Sequence, residues 1–217
     1  MIAVLTGDIV HSTKMTNTLS QATLDSLRDS FGRMQLGSPD AAQIYRGDGF
    51  QVQFTKPRDA LKHTLLLKLS LHSYALSSKP ILTTLSLAFG DYTKLDEKPN
   101  TYSGPVFVSS GKGLEHTARG DLSIHLAETA ILQTPSSETV RVKDNIELLT
   151  HFLNHIVNRL TQTQARLLYQ YIEHDCPEHH VLAELTGTTR QNIRNRLSNI
   201  GAHLIKKYMA SVARGVN

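Results

Sequence analysis

Two carboxylates stand where a divalent cation needs them. Asp8 follows the short apolar run Ile2 to Thr6, and Asp48 sits in Gly47-Asp48-Gly49 between two β-rich runs, Gln43 to Arg46 and Phe50 to Phe54. Taken singly, each has an ordinary structural account, because Asp-Gly is hairpin-turn chemistry and Gly-Asp often opens a loop. Taken together they suggest more. If the first strand lies beside the hairpin, both side chains project from one sheet edge. Mg²⁺ is typically held by one or two carboxylates plus substrate phosphates. The segment Ile9-Val10-His11-Ser12-Thr13 then leads into a helix N-terminus, whose free N–H groups bind phosphate.

A second constellation lies near the C-terminus. Thr161 with Gln164 forms a capping box that opens a helix through Leu167, Leu168 and Ile172. A short helix follows at about His179 to Leu185, then the turn Thr186-Gly187-Thr188, then a long helix capped by Thr188. This is a helix-turn-helix layout. Ile193, Leu197, Ile200 and Leu204 recur at helical spacing and are expected to face the core. The opposite face carries Arg190, Gln191, Asn192, Arg194 and Asn195, beside Thr189 and ahead of Lys206 and Lys207. Arg reads guanine edges or phosphates, and Asn and Gln read adenine. A merely solvated helix face would mix acids with bases. From Thr188 to Asn217 there are six Lys and Arg and no acid, so DNA is the expected partner.

The elements that must position these groups can be read from periodicity. Strand, helix (about Asn17 to Leu36), hairpin, leucine-rich helix (Pro57 to about Ser77) and strand (Ile81 to Phe89) follow one another. After a loop from Asp91 to Ser103 come a helix from Gly104 to about Arg119 and a strand from Leu122 to Ala127. The order β-α-β-β-α-β with an added α and β predicts an α+β, ferredoxin-like split βαβ domain over 1–144, followed by an all-α helix-turn-helix domain over 145–217. Gly37 to Asp40 breaks the first helix, Gln133 to Ser137 is a domain-edge loop, and Thr139 to Lys143 offers one last strand. Ile146, Leu149, Leu153, Ile156, Val157 and Leu160 form an apolar stripe suited to a homodimer interface.

Composition limits the alternatives. The chain has 217 residues, 40% hydrophobic and 19% charged, which excludes disordered, collagen-like and coiled-coil classes. No apolar run is long enough for a membrane span and no secretory signal is evident, so the expected address is cytoplasmic. The single cysteine, Cys176, has no internal disulfide partner. The net charge of +4 is carried unevenly: residues 1–146 have 15 basic and 14 acidic side chains, residues 147–217 have 8 and 5.

Thr6-Gly7-Asp8-Ile9-Val10-His11-Ser12, Arg46-Gly47-Asp48-Gly49-Phe50, Phe89-Gly90, Gly104-Pro105-Val106-Phe107 and Gly113 to Ala118, with the C-terminal helices, resemble in order and spacing the SatD family of bacterial proteins. That family is similar to the catalytic domain of class III nucleotide cyclases. The resemblance implies that Asp8 and Asp48 hold Mg²⁺ with the Ile9 carbonyl, and that Ser12 and Thr13 lie in a phosphate loop for a purine nucleotide. It also implies that cyclase-like domains pair as dimers. Active cyclases carry an Asn and, four residues later, an Arg at positions aligned with Val108 and Lys112. Valine donates no hydrogen bond, and lysine keeps the charge without the bidentate fork. Nucleotide binding is thus better supported than cyclisation.

Three functions remain compatible with the residues. The first is a DNA-binding regulator with a nucleotide- and metal-sensing domain. The second is a nucleotidyl cyclase or NTP-hydrolysing enzyme using Asp8 and Asp48, and the third is a protein-interaction module. His174, Asp175, Cys176, Glu178, His179 and His180 crowd together without zinc-site spacing and read as an inter-helix loop.

Overall fold

A computed structural model describes residues 1–34, 36, 41–45, 47–94, 102–127 and 137–216. The chain is α+β, with a five-stranded sheet in the order β2-β3-β1-β4-β7 and eight α-helices among the described residues. The first six elements are β1 (Ile2–Ile9), α1 (Asn17–Arg33), β2 (Ala42–Tyr45), β3 (Gly49–Phe54), α2 (Pro57–His72) and β4 (Thr83–Gly90). Each of their four strands is antiparallel to its neighbours, with β1 between β3 and β4, which is the split βαβ arrangement that the element order predicts. A crossover through α3 (Pro105–His116) adds β7 (Leu122–Leu126) parallel to β4. The segment expected to be a loop after β4 carries a small ladder, β5 (Thr93–Lys94) with β6 (Tyr102–Ser103). The helix break read at Gly37 to Asp40 lies outside the described residues, as does the domain-edge loop read at Gln133 to Ser137 except for Ser137, which is the first residue of a helix.

Alternation along the strands sends side chains to two faces. Ala3 and Leu5 join Val52, Leu85 and Leu87 against Leu27, Leu61 and Leu65 of α1 and α2. Ile2, Val4 and Ala88 meet Val106 of α3 on the other face. Each leucine buried in such a core contributes roughly 1.5 to 3 kcal/mol. Close to the acidic end of the sheet, α3 sits on a polar seam: Thr6 Oγ1 meets Ser110 Oγ at 2.6 Å, and Ser110 Oγ donates to the Ser86 carbonyl at 3.1 Å. Gly113 permits this approach, since a Cβ there would come within 2.3 Å of Ser86 Oγ and 2.4 Å of His125 Nε2.

The leucines of α2 cover more than one helix face because α2 is packed on both sides. Five helices follow β7: α4 (Ser137–Val157), α5 (Gln162–Glu173), α6 (His179–Thr186), α7 (Arg190–Ile200) and α8 (Ala202–Gly215); one side of α2 meets the sheet, and the other meets α5 and α8. One apolar cluster runs through both layers, from Leu5 to Val212. Polar groups close the seam between them. His72 is 1% exposed and its Nε2 lies 2.7 Å from the Leu160 carbonyl, which can only accept, so Nε2 carries the proton. Buried Asn154 of α4 treats the edge strand β7 as a partner strand would: its Oδ1 accepts from Leu122 N at 2.9 Å and its Nδ2 donates to Leu122 O at 2.8 Å.

Three local expectations are corrected. Residues 139–143 are helical, the first part of α4, whose continuous run through Val157 places residue 144 inside a helix. The leucine-rich helix stops at His72, where the Ser73 N–H caps it, and does not reach Ser77. The long C-terminal helix is two helices. Gly201 adopts a left-handed conformation, φ 73°, capping α7 and starting α8 on a new axis. The helical phase is lost there, so Leu204, expected in the core with Ile193, Leu197 and Ile200, is 51% exposed.

Candidate functional site

The last residues of β1 form one end of the sheet. Asp8 is in register with Gly49 of β3 on one side and Thr84 of β4 on the other, so Asp48, one residue before Gly49 at the hairpin tip, comes beside it. The sheet therefore brings the two carboxylates together. Burial, and next the neighbouring Asp48 charge, push the Asp8 carboxyl above its usual range; the Ile9 N–H and the Arg119 guanidinium pull in the other direction. Two hard oxygen donors that repel each other at the rim of a sheet suit a divalent cation, whose charge relieves the repulsion.

Beyond β1 the chain turns sharply. His11 takes a left-handed conformation, φ 62°, and Ser12–Lys14 form one 3-10 turn before Thr16 caps α1 by accepting from Leu19 N. Ser12 Oγ donates to Asp48 Oδ2 at 2.5 Å, which fixes the loop to the acid pair and orients that carboxylate. Thr13 is exposed beside it. Val108 and Lys112 are exposed on α3. The charges acting on Asp8 are those of Asp48 and Arg119, and Lys112 is not among them. Arg46, in the hairpin motif, lies outside the described residues.

Sequence reasoning missed Arg119 and Thr84. Nothing in their spacing connects them to Asp8, because the link runs across the sheet: Thr84 pairs with Asp8, and its Oγ1 accepts from Gly120 N at 3.1 Å. Only the strand order makes that adjacency visible.

At the other end of the chain, α6 closes at Gly187, and Thr189, one residue later than expected, caps α7 by accepting from Asn192 N at 3.2 Å. Ile193, Leu197 and Ile200 are buried, which turns Arg190, Gln191, Asn192, Arg194, Asn195, Ser198 and Asn199 to solvent. Gln191 Nε2 donates to Asn195 Oδ1 at 3.1 Å, one turn on. Lys206 and Lys207 are also exposed, but on α8: Lys206 Nζ donates to the Cys176 carbonyl at 3.3 Å, and Lys207 lines an apolar groove between α4 and α8. No described helix is long and apolar enough to cross a membrane.

No family model matches the chain. The curated proteins give no match either. Among solved structures, the chain is similar to the guanylyl cyclase Cya2 at 17% identity and a TM-score of 0.39, over 65% of this chain and 77% of that one. At that level the likeness is weak, and the α+β assignment rests on the strand order and register of this chain itself.

Proposed function

We propose that the protein is a DNA-binding regulator whose α+β domain senses a metal-bound nucleotide. The observation that carries the DNA reading is the exposed face of α7, where Arg190, Gln191, Asn192, Arg194 and Asn195 stand free of any acid over the buried Ile193 and Leu197. A helix that follows a tight turn and presents its N-terminal residues outward is the form that enters a major groove. The acid pair supplies the sensing end, with Mg²⁺ on Asp8, Asp48 and the Ile9 carbonyl, and a purine nucleotide whose phosphates meet Ser12 and Thr13. The resemblance to the SatD family and to cyclase-like domains supports the same pairing of parts.

A salt titration on duplex DNA tests it. Replacing Arg190 or Gln191 by Ala is expected to cost roughly 1 to 3 kcal/mol on a preferred site and to relax specificity there. Replacing Arg194 is expected to weaken binding to all sequences and lower the salt slope by about one unit, as the loss of a phosphate contact does. Lys206 and Lys207 serve as two further phosphate anchors, with the same expected signature. Negligible affinity at low salt, or equal loss from every substitution, would favour a protein partner for this face instead.

The regulator is a homodimer in this reading. A groove of about 410 Å³ between α4 and α8 is lined by Leu149, Phe152, Ile156 and Leu204, with Phe152 59% exposed. Contiguous apolar surface of this kind marks an interaction site. A two-fold contact seats each copy's Phe152 in the other's groove and supplies two recognition helices for two half-sites. Phe152→Asp should leave the melting temperature of the monomer almost unchanged, because the side chain is mostly exposed, while light scattering at micromolar concentration shifts from dimer to monomer. A wild-type protein that scatters as a monomer with and without DNA sinks the dimer.

A further inference from the structure

We propose that Arg119 is the phosphate-binding arm of the Asp8 and Asp48 site, gripping the outer phosphates of a magnesium-bound nucleoside triphosphate; the proposal rests on the reading of that acid pair as a metal-nucleotide site. Arg119 lies in the turn between α3 and β7, and three links place it. Asp8 is in register with Thr84, Thr84 Oγ1 accepts from Gly120 N at 3.1 Å, and Arg119 directly precedes Gly120. Its guanidinium belongs to the same end of the sheet as both carboxylates, and its charge is felt at Asp8.

The turn is pinned more firmly than a surface loop requires. Buried Lys68 of α2 donates to the Gly120 carbonyl at 2.6 Å. Asp121 N donates to the Ala118 carbonyl at 2.9 Å, and the Asp121 carbonyl accepts from Leu85 N at 2.8 Å. Asn158 Nδ2 donates to Asp121 Oδ1 at 2.6 Å. Elements on three sides thus fix the backbone, while the arginine side chain is exposed. Among the described residues Arg119 makes no ion pair within 4.0 Å, so its hydrogen-bond donors are not committed to Asp8. Two carboxylates and one Mg²⁺ are neutral together. A triphosphate brings several further negative charges, and a guanidinium fork at the rim of the site matches two phosphate oxygens at once. A nucleoside monophosphate held through its single phosphate on the metal leaves that fork unused.

The removal of a cation beside a metal site has opposite consequences for metal and for anion, and this gives the test. Full-length wild type, Arg119→Ala and Arg119→Lys are titrated with Mn²⁺ alone, followed by the electron paramagnetic resonance of free Mn²⁺. They are then titrated calorimetrically with ATP, GTP, AMP and GMP in the presence of Mg²⁺. Arg119→Ala is expected to bind Mn²⁺ more tightly than wild type, to bind the preferred triphosphate about tenfold or more weakly, and to bind the monophosphates as before. Arg119→Lys should fall between. A merely structural role would weaken metal and triphosphate together, and that outcome, or unchanged binding of both, overturns the proposal. Wild type that binds Mn²⁺ through Asp8 but no triphosphate overturns the arm and leaves the metal site standing. Wild type that binds neither ends the acid-pair reading, and this proposal with it.

Discussion

Replacing Asp8 or Asp48 by Asn is expected to abolish magnesium-dependent nucleotide binding while leaving the fold intact. At a ligand concentration of a hundred times its Kd, a bound nucleotide adds about 2.7 kcal/mol to stability, several degrees of melting temperature in a domain of this size. Either variant should show none of it. Without ligand the expectation runs the other way. Asp8 is partly buried beside a second carboxylate, an arrangement that raises its pKa and makes its ionised form a burden on the folded state. A folded-state pKa raised above the unfolded value means that stability is lost as pH rises through this range, so Asp8→Asn removes that loss and should melt no lower than wild type at neutral pH. Metal binding should likewise weaken on acidification at a higher pH than a free carboxylate requires, because protons compete with the cation for Asp8. Thermal scans of wild type and both variants, with and without Mg²⁺ and a purine nucleoside triphosphate, check all three statements. Full nucleotide stabilisation in either variant would falsify the two-carboxylate site.

Asp8 and Asp48 were legible in the sequence because each sits next to its own local signal, a strand end and a Gly-Asp-Gly hairpin, and because the element order places those signals on neighbouring strands. The same is true of the α7 face, where apolar spacing alone predicts which side chains turn outward. What could not be read depended on the third dimension or on a single backbone conformation. Gly201 is one glycine in a run that otherwise propagates as helix, and its left-handed conformation moved Leu204 from the expected core to the surface. Residues 139–143, Thr-Val-Arg-Val-Lys, alternate as a strand does, yet they open α4, whose later residues bury Leu153 and Val157. Tertiary packing of the helix overrode a local β preference. Arg119 left no trace at all, since its relation to Asp8 passes through Thr84 and Gly120 and not through the chain between them.

Lys68 offers the largest expected effect on stability, and its sign depends on pH. The side chain is 2% exposed, with Nζ donating to the Thr83 carbonyl at 3.1 Å and to the Gly120 carbonyl at 2.6 Å. Burial, countered in part by Asp121, lowers its pKa from 10.5 to about 8. In the window between those values the unfolded chain holds a proton that the folded chain has released, so the contribution of Lys68 to stability is present in full above pH 10.5 and is lost as pH falls through 8. At about 1.4 kcal/mol per pKa unit, the swing is roughly 3 kcal/mol. Lys68→Met keeps the length of the side chain, removes the titration, and strands two carbonyls at a cost of about 1 to 3 kcal/mol each, offset at neutral pH by relief of the buried charge. The difference in unfolding free energy between wild type and Lys68→Met should therefore shift little between pH 7 and pH 8 and then move in favour of wild type as pH rises from 8 to 10.5, and taking the difference cancels the titration of every exposed lysine and tyrosine. A difference that stays flat across that range means that Lys68 is not titrating in the folded protein as its burial requires. Because the same ammonium holds the Gly120 carbonyl, Lys68→Met should also loosen the turn that carries Arg119, lowering triphosphate affinity without touching either carboxylate.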